Sequence, residues 1–423
     1  MKVKLNYLLN DANVDATQTS SQRQLSISMS AQPGEIGGNL PLNLCLILDR
    51  SGSMAGEPLR TVKEAVERLL DQLRPDDRIS IVAFNSTAEV IVPNQYVEEP
   101  QRIKSQIRNL EASGTTTIHK GLQQGIAELT RGINGTVSQA FLLTDGHGDS
   151  SLRIWKWEFG TDDNQLCLDL AQKAANAQIT INTLGFGNSW NQNLLEKIAD
   201  VSGGALSHIE RPEQVVEQFS RLFRRIQSVG LTNAYLLLSL IPGVRLAELK
   251  PIAQVAPDVI ELPIQQEGDR FIFRLGDLMK DISRIVLANL YIQQLPAGNC
   301  AIAQLQIRYD DPVTNQQNLL SSIQTVEVNV VTAYKPSINQ QVQQSTLALA
   351  KYRQTQLAEA KIEQGDRAGA ATMLQTAAKT ALQMGDRNAA TVLQNSATRL
   401  ESGQDLSDAD RKKTRIVSKT KLE

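Results

Sequence analysis

A carboxylate and two hydroxyls stand at alternate positions at the end of a short apolar run. Asp49, Ser51 and Ser53 follow the residues L-C-L-I-L at 44–48. Because alternate side chains of an extended segment point to one side, the three groups can converge on one point at the end of a buried strand. A ligand set made only of oxygen suits Mg²⁺, or alternatively Ca²⁺ or Mn²⁺, rather than zinc. The spacing therefore predicts a site for a hard divalent cation.

Two later segments contain oxygen ligands of the same kind. The loop 113–118 reads S-G-T-T-T-I and begins an amphipathic helix, and the apolar run 140–144 is followed by Asp145 and Gly146. In this order and spacing, the three segments resemble the metal-ion-dependent adhesion site (MIDAS) of von Willebrand factor type A (VWA) domains. The resemblance covers residues 38–228 and suggests a bacterial, intracellular member of that family.

The resemblance implies a set of metal ligands and a mode of binding. The implied ligands are Asp49, Ser51, Ser53, Thr116 and Asp145. Thr115 or Thr117 takes the place of Thr116 if the alignment shifts by one position. In the family the serines contact the metal directly, the aspartates often act through water, and a partner carboxylate completes the octahedron. A folded domain whose site holds no metal is the alternative.

The elements around these residues alternate between strand and helix. Strands are predicted at 42–48, 78–84, 88–92, 138–144, 179–184 and 204–209, and helices at 57–73, 99–110, 117–130, 163–177, 191–201 and 211–228. This alternation predicts an α/β domain with a doubly wound, mostly parallel sheet and helices on both faces, as in VWA and Rossmann-like folds. Ligands of such sheets bind beyond the carboxyl ends of the strands, where all the implied ligands lie.

The segments that flank this VWA-like region, 1–37 and 229–335, are strand-like and punctuated by Pro and Gly. A segment of some 30 residues is too small to bury a core of its own. We therefore predict that 1–37 pairs with 229–335 in one β-sandwich-like domain, with the region 38–228 inserted between strands. An N-terminal arm that packs on the inserted domain is the alternative.

The C-terminal region changes to a composition rich in Ala, Gln and Leu. Helices are predicted at 340–363, 367–384 and 387–401, and the tripeptide G-D-R at 365–367 recurs at 385–387. Gly can end one helix and Asp can begin the next, which predicts a helical bundle over 336–402. The remaining residues, 403–423, are predicted to be a basic flexible tail. A docking or phosphorylation tail is the alternative, because Thr414, Ser418 and Thr420 lie among the cations.

The three tryptophans of the chain are predicted near the metal-binding edge. Trp155 and Trp157 lie in the long connection after Asp145, and Trp190 follows a predicted strand. Since Trp is enriched at binding hot spots, these residues are candidates for contacts with a partner. The alternative is that they pack the connection onto the domain.

The overall composition excludes several classes of function. The formal net charge is −2, and no apolar run approaches the length of about 20 residues that a membrane span requires. We therefore expect no nucleic-acid binding and no membrane span. The three cysteines are far apart, which indicates reduced thiols and a cytoplasmic protein. The chain contains no G-x-x-x-x-G-K loop and no G-x-S-x-G elbow, so we expect no enzyme activity.

Together these observations predict a metal-dependent protein–protein interaction module. An occupied Mg²⁺ site would capture an Asp or Glu of a partner protein. Two alternatives stay open at this point. The chain could be a co-factor subunit of an AAA+ ATPase of the MoxR or chelatase type, or a scaffold in which the metal is purely structural.

Overall fold

Three β-sheets and ten α-helices make up the described parts of the chain, which in this computed structural model are residues 2–32, 40–132, 135–146 and 163–419. The N-terminal segment contains β1 (Lys2–Leu9), β2 (Asn13–Asp15) and β3 (Ser20–Gln32). The next segment, here called the α/β domain, contains β4 (Leu42–Asp49), α1 (Glu57–Leu70), β5 (Arg78–Phe84), β6 (Ala88–Tyr96), α2 (Pro100–Arg108), α3 (Ile118–Thr130), β7 (Val137–Thr144), α4 (Asp163–Asn176), β8 (Thr180–Phe186), α5 (Gln192–Ser202), β9 (Leu206–Ile209) and α6 (Val215–Gln227).

The C-terminal half contains a run of strands and then a run of helices. The strands are β10 (Val229–Leu240), β11 (Val244–Leu246), β12 (Ile252–Ala256), β13 (Ile260–Glu261), β14 (Gln265–Glu267), β15 (Arg270–Met279), β16 (Arg284–Gln293), β17 (Gly298–Asp311), β18 (Gln316–Leu320) and β19 (Gln324–Val331). The helices, here called the helical region, are α7 (Gln340–Glu363), α8 (Arg367–Gln383), α9 (Arg387–Glu401) and α10 (Asp408–Lys419).

The sheet of the α/β domain has the strand order β6-β5-β4-β7-β8-β9. All neighbours are parallel except β5 and β6, which are antiparallel. Strands β4, β7 and β8 are buried along their whole length, which explains why their sequences are apolar without alternation. The strand order reverses between β4 and β7, so this is the point where a doubly wound sheet binds ligands.

Helices cover both faces of this sheet, as predicted. Val66 of α1, Ile107 of α2 and Phe223 of α6 belong to the core on one face. Leu122 of α3 and Leu195 of α5 belong to the core on the other face, together with residues of α4. The structure thus confirms the doubly wound α/β fold.

The other two sheets pack on one shared core as a β-sandwich that includes the N-terminal strands. Strand β3 pairs antiparallel with β16 from Ser20–Gln293 to Met29–Arg284, and β2 pairs parallel with β19. The α/β domain is therefore inserted between β3 and β10. The prediction that the N-terminal segment joins the later strands is confirmed, and the alternative of an arm on the α/β domain is wrong.

The helical region forms three of its helices where the sequence predicts them. Gly365 and Gly385 have φ angles of +79° and +81°, the left-handed conformation in which a helix commonly ends. Asp366 and Asp386 then cap α8 and α9, because their carboxylates accept hydrogen bonds from backbone N–H groups of the first turn. Helix α7 also packs on the β-sandwich through Leu349 and neighbouring apolar residues.

The prediction of a flexible tail over 403–423 is wrong for residues 408–419, which form α10. Thr414 and Ser418, the hydroxyls that suggested a phosphorylation tail, are buried, and Thr414 Oγ1 lies 2.9 Å from Ser396 Oγ. Thr420 lies outside the described residues. None of the helices in the described ranges combines the length and the apolar character that a membrane crossing requires.

Candidate metal centre

The carboxylate of Asp49 lies at the carboxyl end of β4 and is fully buried. Its Oδ1 accepts a hydrogen bond from the backbone N–H of Ser51 at 2.8 Å, and its Oδ2 accepts one from the hydroxyl of Thr144. These two bonds fix the orientation of the carboxylate. Because Thr144 ends β7, its bond to Asp49 also joins the two strands between which the strand order reverses.

Three further oxygen atoms lie next to one another at the same edge. Ser51 Oγ is 3.1 Å from Ser53 Oγ, and Ser53 Oγ donates a hydrogen bond to Asp145 Oδ1 at 2.7 Å. Neighbouring ligands of an octahedral Mg²⁺ are about 3.0 Å apart, since each Mg–O distance is about 2.1 Å. The two spacings of 3.1 and 2.7 Å lie on either side of that value, so these residues fit a small divalent cation held by oxygen.

Helix α3 approaches the sheet closely because two of its residues are glycines. A Cβ on Gly121 would lie 2.7 Å from the ring of Phe84, and a Cβ on Gly125 would lie 2.4 Å from the side chain of Ile47. No larger residue fits at either position without displacing a core side chain. The close packing brings the loop before α3 to the carboxyl ends of β4 and β5.

Backbone hydrogen bonds join this loop to the segment that contains the serines. The N–H of Ser113 donates to the carbonyl of Arg50 at 2.8 Å, and the N–H of Gly52 donates to the carbonyl of Gly114 at 2.9 Å. The side-chain amide of Asn85, just after β5, donates to the carbonyl of Ser113 at 2.8 Å. The positions of the two loops are therefore coupled.

The structure distinguishes among the three neighbouring threonines. Thr115 is exposed, and Thr117 N–H is bonded to the carbonyl of Asn85 at the start of α3. The side chain of Thr116 is mostly buried against Gly146, where an added Cβ would lie 2.6 Å from Thr116 Oγ1. Because Gly146 directly follows Asp145, Thr116 is the threonine that the structure places at the site.

Comparisons with known proteins agree with this architecture. The von Willebrand factor type A domain family matches residues 43–221, and the family of the Sll0103-like C-terminal alpha-helical domain matches residues 340–423. A relative named uncharacterized protein sll0103, from Synechocystis, is 51% identical over 423 residues, which span 100% of this chain and 98% of the relative. The chain belongs to the Sll0103-like family of VWA proteins.

Two further comparisons show how much of the chain resembles other proteins. A solved structure described as von Willebrand factor type A from Catenulispora acidiphila has a TM-score of 0.81 at 17% identity and covers 99% of this chain and 97% of that chain. This Sll0103-like protein therefore shares its complete fold, and not only the VWA domain, with that structure. The protein YfbK of Escherichia coli is 30% identical over 171 residues, which are 40% of this chain and 28% of YfbK.

Burial controls the electrostatics of the centre in this Sll0103-like protein. Burial raises the pKa of Asp49 to about 6, although hydrogen bonds from Thr144 and Ser51 act in the opposite direction. Burial also raises the pKa of Asp145, against the effect of the bond from Ser53. Each ionised carboxylate is therefore costly without a positive charge nearby. A cation bound between them would remove that cost.

Two supporting residues were not predicted from the sequence. Thr144 donates to Asp49, and its Oγ1 accepts a hydrogen bond from the N–H of Gly146 at 3.1 Å. Asn85 holds the loop of Thr116 from the end of β5. The signal for both was their position at the carboxyl end of a predicted parallel strand.

The tryptophans do not form the predicted contact surface in the described part of the protein. Trp155 and Trp157 lie outside the described residues. Trp190 has no exposed surface, and its Nε1 donates to the carbonyl of Gly187 at 2.9 Å. Its side chain therefore cannot offer a partner the contact that its position in the sequence suggested, because it packs in the core on one face of the sheet.

Proposed function

We propose that this protein recognises partner proteins through a carboxylate that completes the coordination of a divalent cation, most simply Mg²⁺. The observation that supports the proposal is the spacing of Ser51, Ser53 and Asp145 oxygens, which matches the edges of an octahedron at the point where the strand order reverses. Asp49 and Thr116 complete the set that would hold the ion.

The ligands of the site differ in their exposure to solvent. Ser53 is exposed, whereas Ser51, Thr116 and Asp49 are buried, so a partner can approach from the side of Ser53. A bound cation would supply an open position for an Asp or Glu oxygen. Because the hydroxyl ligands are neutral, the ion itself would stay electrophilic enough to bind an anionic group.

We propose binding rather than catalysis, because each group of the site is accounted for as a ligand or as the support of a ligand. Asp49 is held by Thr144 and by the N–H of Ser51, and Asp145 is held by Ser53. We also propose that the protein acts in the cytoplasm, since its cysteines are few and Cys45 is buried in the centre of β4.

The experiment combines metal titration with partner capture from a lysate of the source organism. Wild type, Thr116→Ala and the matched control Thr115→Ala are each titrated with MgCl₂ and used for capture with Mg²⁺ or with EDTA. We expect Thr116→Ala to lose Mg²⁺ affinity and the captured protein, and Thr115→Ala to keep both, because Thr116 packs against Gly146 beside Asp145 whereas Thr115 is exposed. Thermal melting shows whether the losses exceed any loss of stability.

One result would contradict the proposal, and another would favour the alternative of a structural metal. Identical capture by all three proteins, with or without Mg²⁺, would mean that the centre does not take part in recognition. Loss of capture that only follows loss of stability would favour the scaffold, in which the metal is structural.

A further inference from the structure

Helix α10 places its basic side chains on the α/β domain rather than in solvent. The ammonium of Lys413 lies 2.8 Å from Glu210 Oε1, and Arg415 Nε lies 2.7 Å from Glu196 Oε2. Lys419 is buried between Glu196 and Asp200, at 3.0 and 2.6 Å. These contacts connect the helical region to α5 and to the end of β9.

Lys412 makes a different kind of contact. Only 5% of the residue is exposed, and its ammonium lies 4.7 Å from the centre of the Trp190 ring. The ammonium also donates a hydrogen bond to the carbonyl of Asn188. A buried charge is stable only where such groups replace its hydration, so the position of Lys412 depends on the position of Trp190.

Trp190 in turn packs directly on strand β8. A Cβ added to Gly185 would lie 2.3 Å from the Trp190 ring, so the ring contacts the backbone of the strand. The 5.4 Å between the ring centres of Trp190 and His208 shows that the tryptophan also packs against β9. A displacement of the Trp190 ring would therefore also shift the end of β8.

Gly185 lies beside the residue that holds the metal-site carboxylate. In the register of β7 and β8, Gly185 is paired with Thr144. The hydroxyl of Thr144 donates to Asp49 Oδ2. An unbroken series of contacts thus leads from Lys412 through Trp190, Gly185 and Thr144 to Asp49.

We propose that α10 regulates the metal centre from within the chain, with Lys412 as a positioning residue that acts through Trp190. Docked α10 holds the end of β8, and hence Thr144 and Asp49, in the arrangement that binds a cation. By linkage, a bound cation must strengthen the docking of α10 by the same factor. The inference rests on the proposed function in one respect, namely that the centre takes up a divalent cation.

Calorimetric titration of MgCl₂ into the full-length protein tests one direction of this coupling. Allosteric coupling commonly changes affinity by a factor of about 5 or more, so we expect Lys412→Met to weaken Mg²⁺ binding at least about fivefold. The matched control Lys413→Met removes a charge one position away whose ion pair with Glu210 is 42% and 41% exposed and therefore weak, and it should leave the affinity within about twofold of wild type. Lys412→Arg, which keeps a cation over the ring, should restore most of the affinity.

Hydrogen exchange of residues 408–419 in wild type tests the other direction. We expect Mg²⁺ to slow exchange of α10 by the factor that separates the Mg²⁺ affinities of wild type and Lys412→Met. Equal affinities of these two proteins, or exchange of α10 that does not respond to Mg²⁺, would overturn the inference and leave the proposed function intact. Absence of Mg²⁺ binding by wild type would instead overturn both.

Discussion

Replacing Asp49 by Asn tests whether the ionised carboxylate of Asp49 destabilises the folded protein when no cation is bound. Asp49 is fully buried, and the two side chains have nearly the same shape. The amide oxygen of Asn can still accept the hydrogen bond from the N–H of Ser51. The substitution therefore removes the charge of the site without creating a cavity.

The size of the effect follows from the pKa of the carboxyl group. Burial raises the pKa of Asp49 from 3.8 to about 6. A difference of about two pH units corresponds to about 3 kcal/mol, which the ionised group costs the folded state. The NH₂ group of Asn cannot accept the bond that Thr144 donates to Asp49, and this loss is worth about 1 kcal/mol. We expect Asp49→Asn to be more stable than wild type by about 2 kcal/mol in EDTA at pH 7.5.

The stability difference between Asp49→Asn and wild type should depend on pH. A carboxyl group whose pKa is raised by folding destabilises the folded state when it is ionised, so the cost is fully present above pH 6 and disappears toward pH 4. The difference between the two proteins should shrink over that range. In Mg²⁺ wild type should become the more stable of the two proteins, because we expect only wild type to be stabilised by bound Mg²⁺.

Hydrogen exchange is the suitable measurement, because the chain has several domains and its global unfolding need not be two-state. The amides of β4 and β7 report the free energy of opening for the sheet that carries the site. Asp76→Asn, at a side chain that is 58% exposed, is the control for removal of an aspartate charge. An Asp49→Asn protein that is less stable than wild type in EDTA at both pH 7.5 and pH 5 would refute the reasoning.

Two further predictions concern a glycine and a repeated aspartate. Gly146→Ala should weaken Mg²⁺ binding by about tenfold in calorimetry with little change in melting, because the new Cβ would lie 2.6 Å from Thr116 Oγ1 and displace that side chain; unchanged affinity would remove Thr116 from the site. Asp386→Ala should destabilise the helical region by about 3–5 kcal/mol in hydrogen exchange, because it leaves Lys351, which is 2% exposed, buried without its carboxylate partner and with only the carbonyl of Val417 as hydrogen-bond acceptor. Asp366→Ala, which removes the same cap at an exposed ion pair, should cost about 1 kcal/mol, and equal costs would contradict the argument from burial.

The α/β domain and the core of its site could be predicted from the sequence, because both depend on local patterns. Apolar runs specify β4 and β7, and the alternate spacing of Asp49, Ser51 and Ser53 specifies one ligand cluster. The resemblance indicated Thr116, but local pattern alone does not separate it from Thr115 and Thr117, because the distinction depends on the packing of that loop against Gly146, some 30 residues further along the chain.

Helix α10, in contrast, could not be predicted from local patterns. Its basic residues resemble a solvated tail when they are read along the chain, because the partners of Lys413, Arg415 and Lys419 lie about 200 residues earlier. Trp190 was misjudged for the same reason. Its burial depends on the backbone of Gly185 and on Lys412 of α10, and neither contact follows from its place after a strand.

The insertion of the α/β domain between β3 and β10 has a consequence for biosynthesis. Strand β3 is complete at Gln32, but its partner β16 begins at Arg284, about 250 residues later. At about 5–20 residues per second, the ribosome takes roughly 12–50 s to supply that partner. The α/β domain is contiguous and can fold in this interval, whereas the N-terminal strands must wait with open edges that other chains could pair with. A nascent or truncated chain that ends after α6 would therefore expose the strands of an incomplete β-sandwich beside a finished α/β domain.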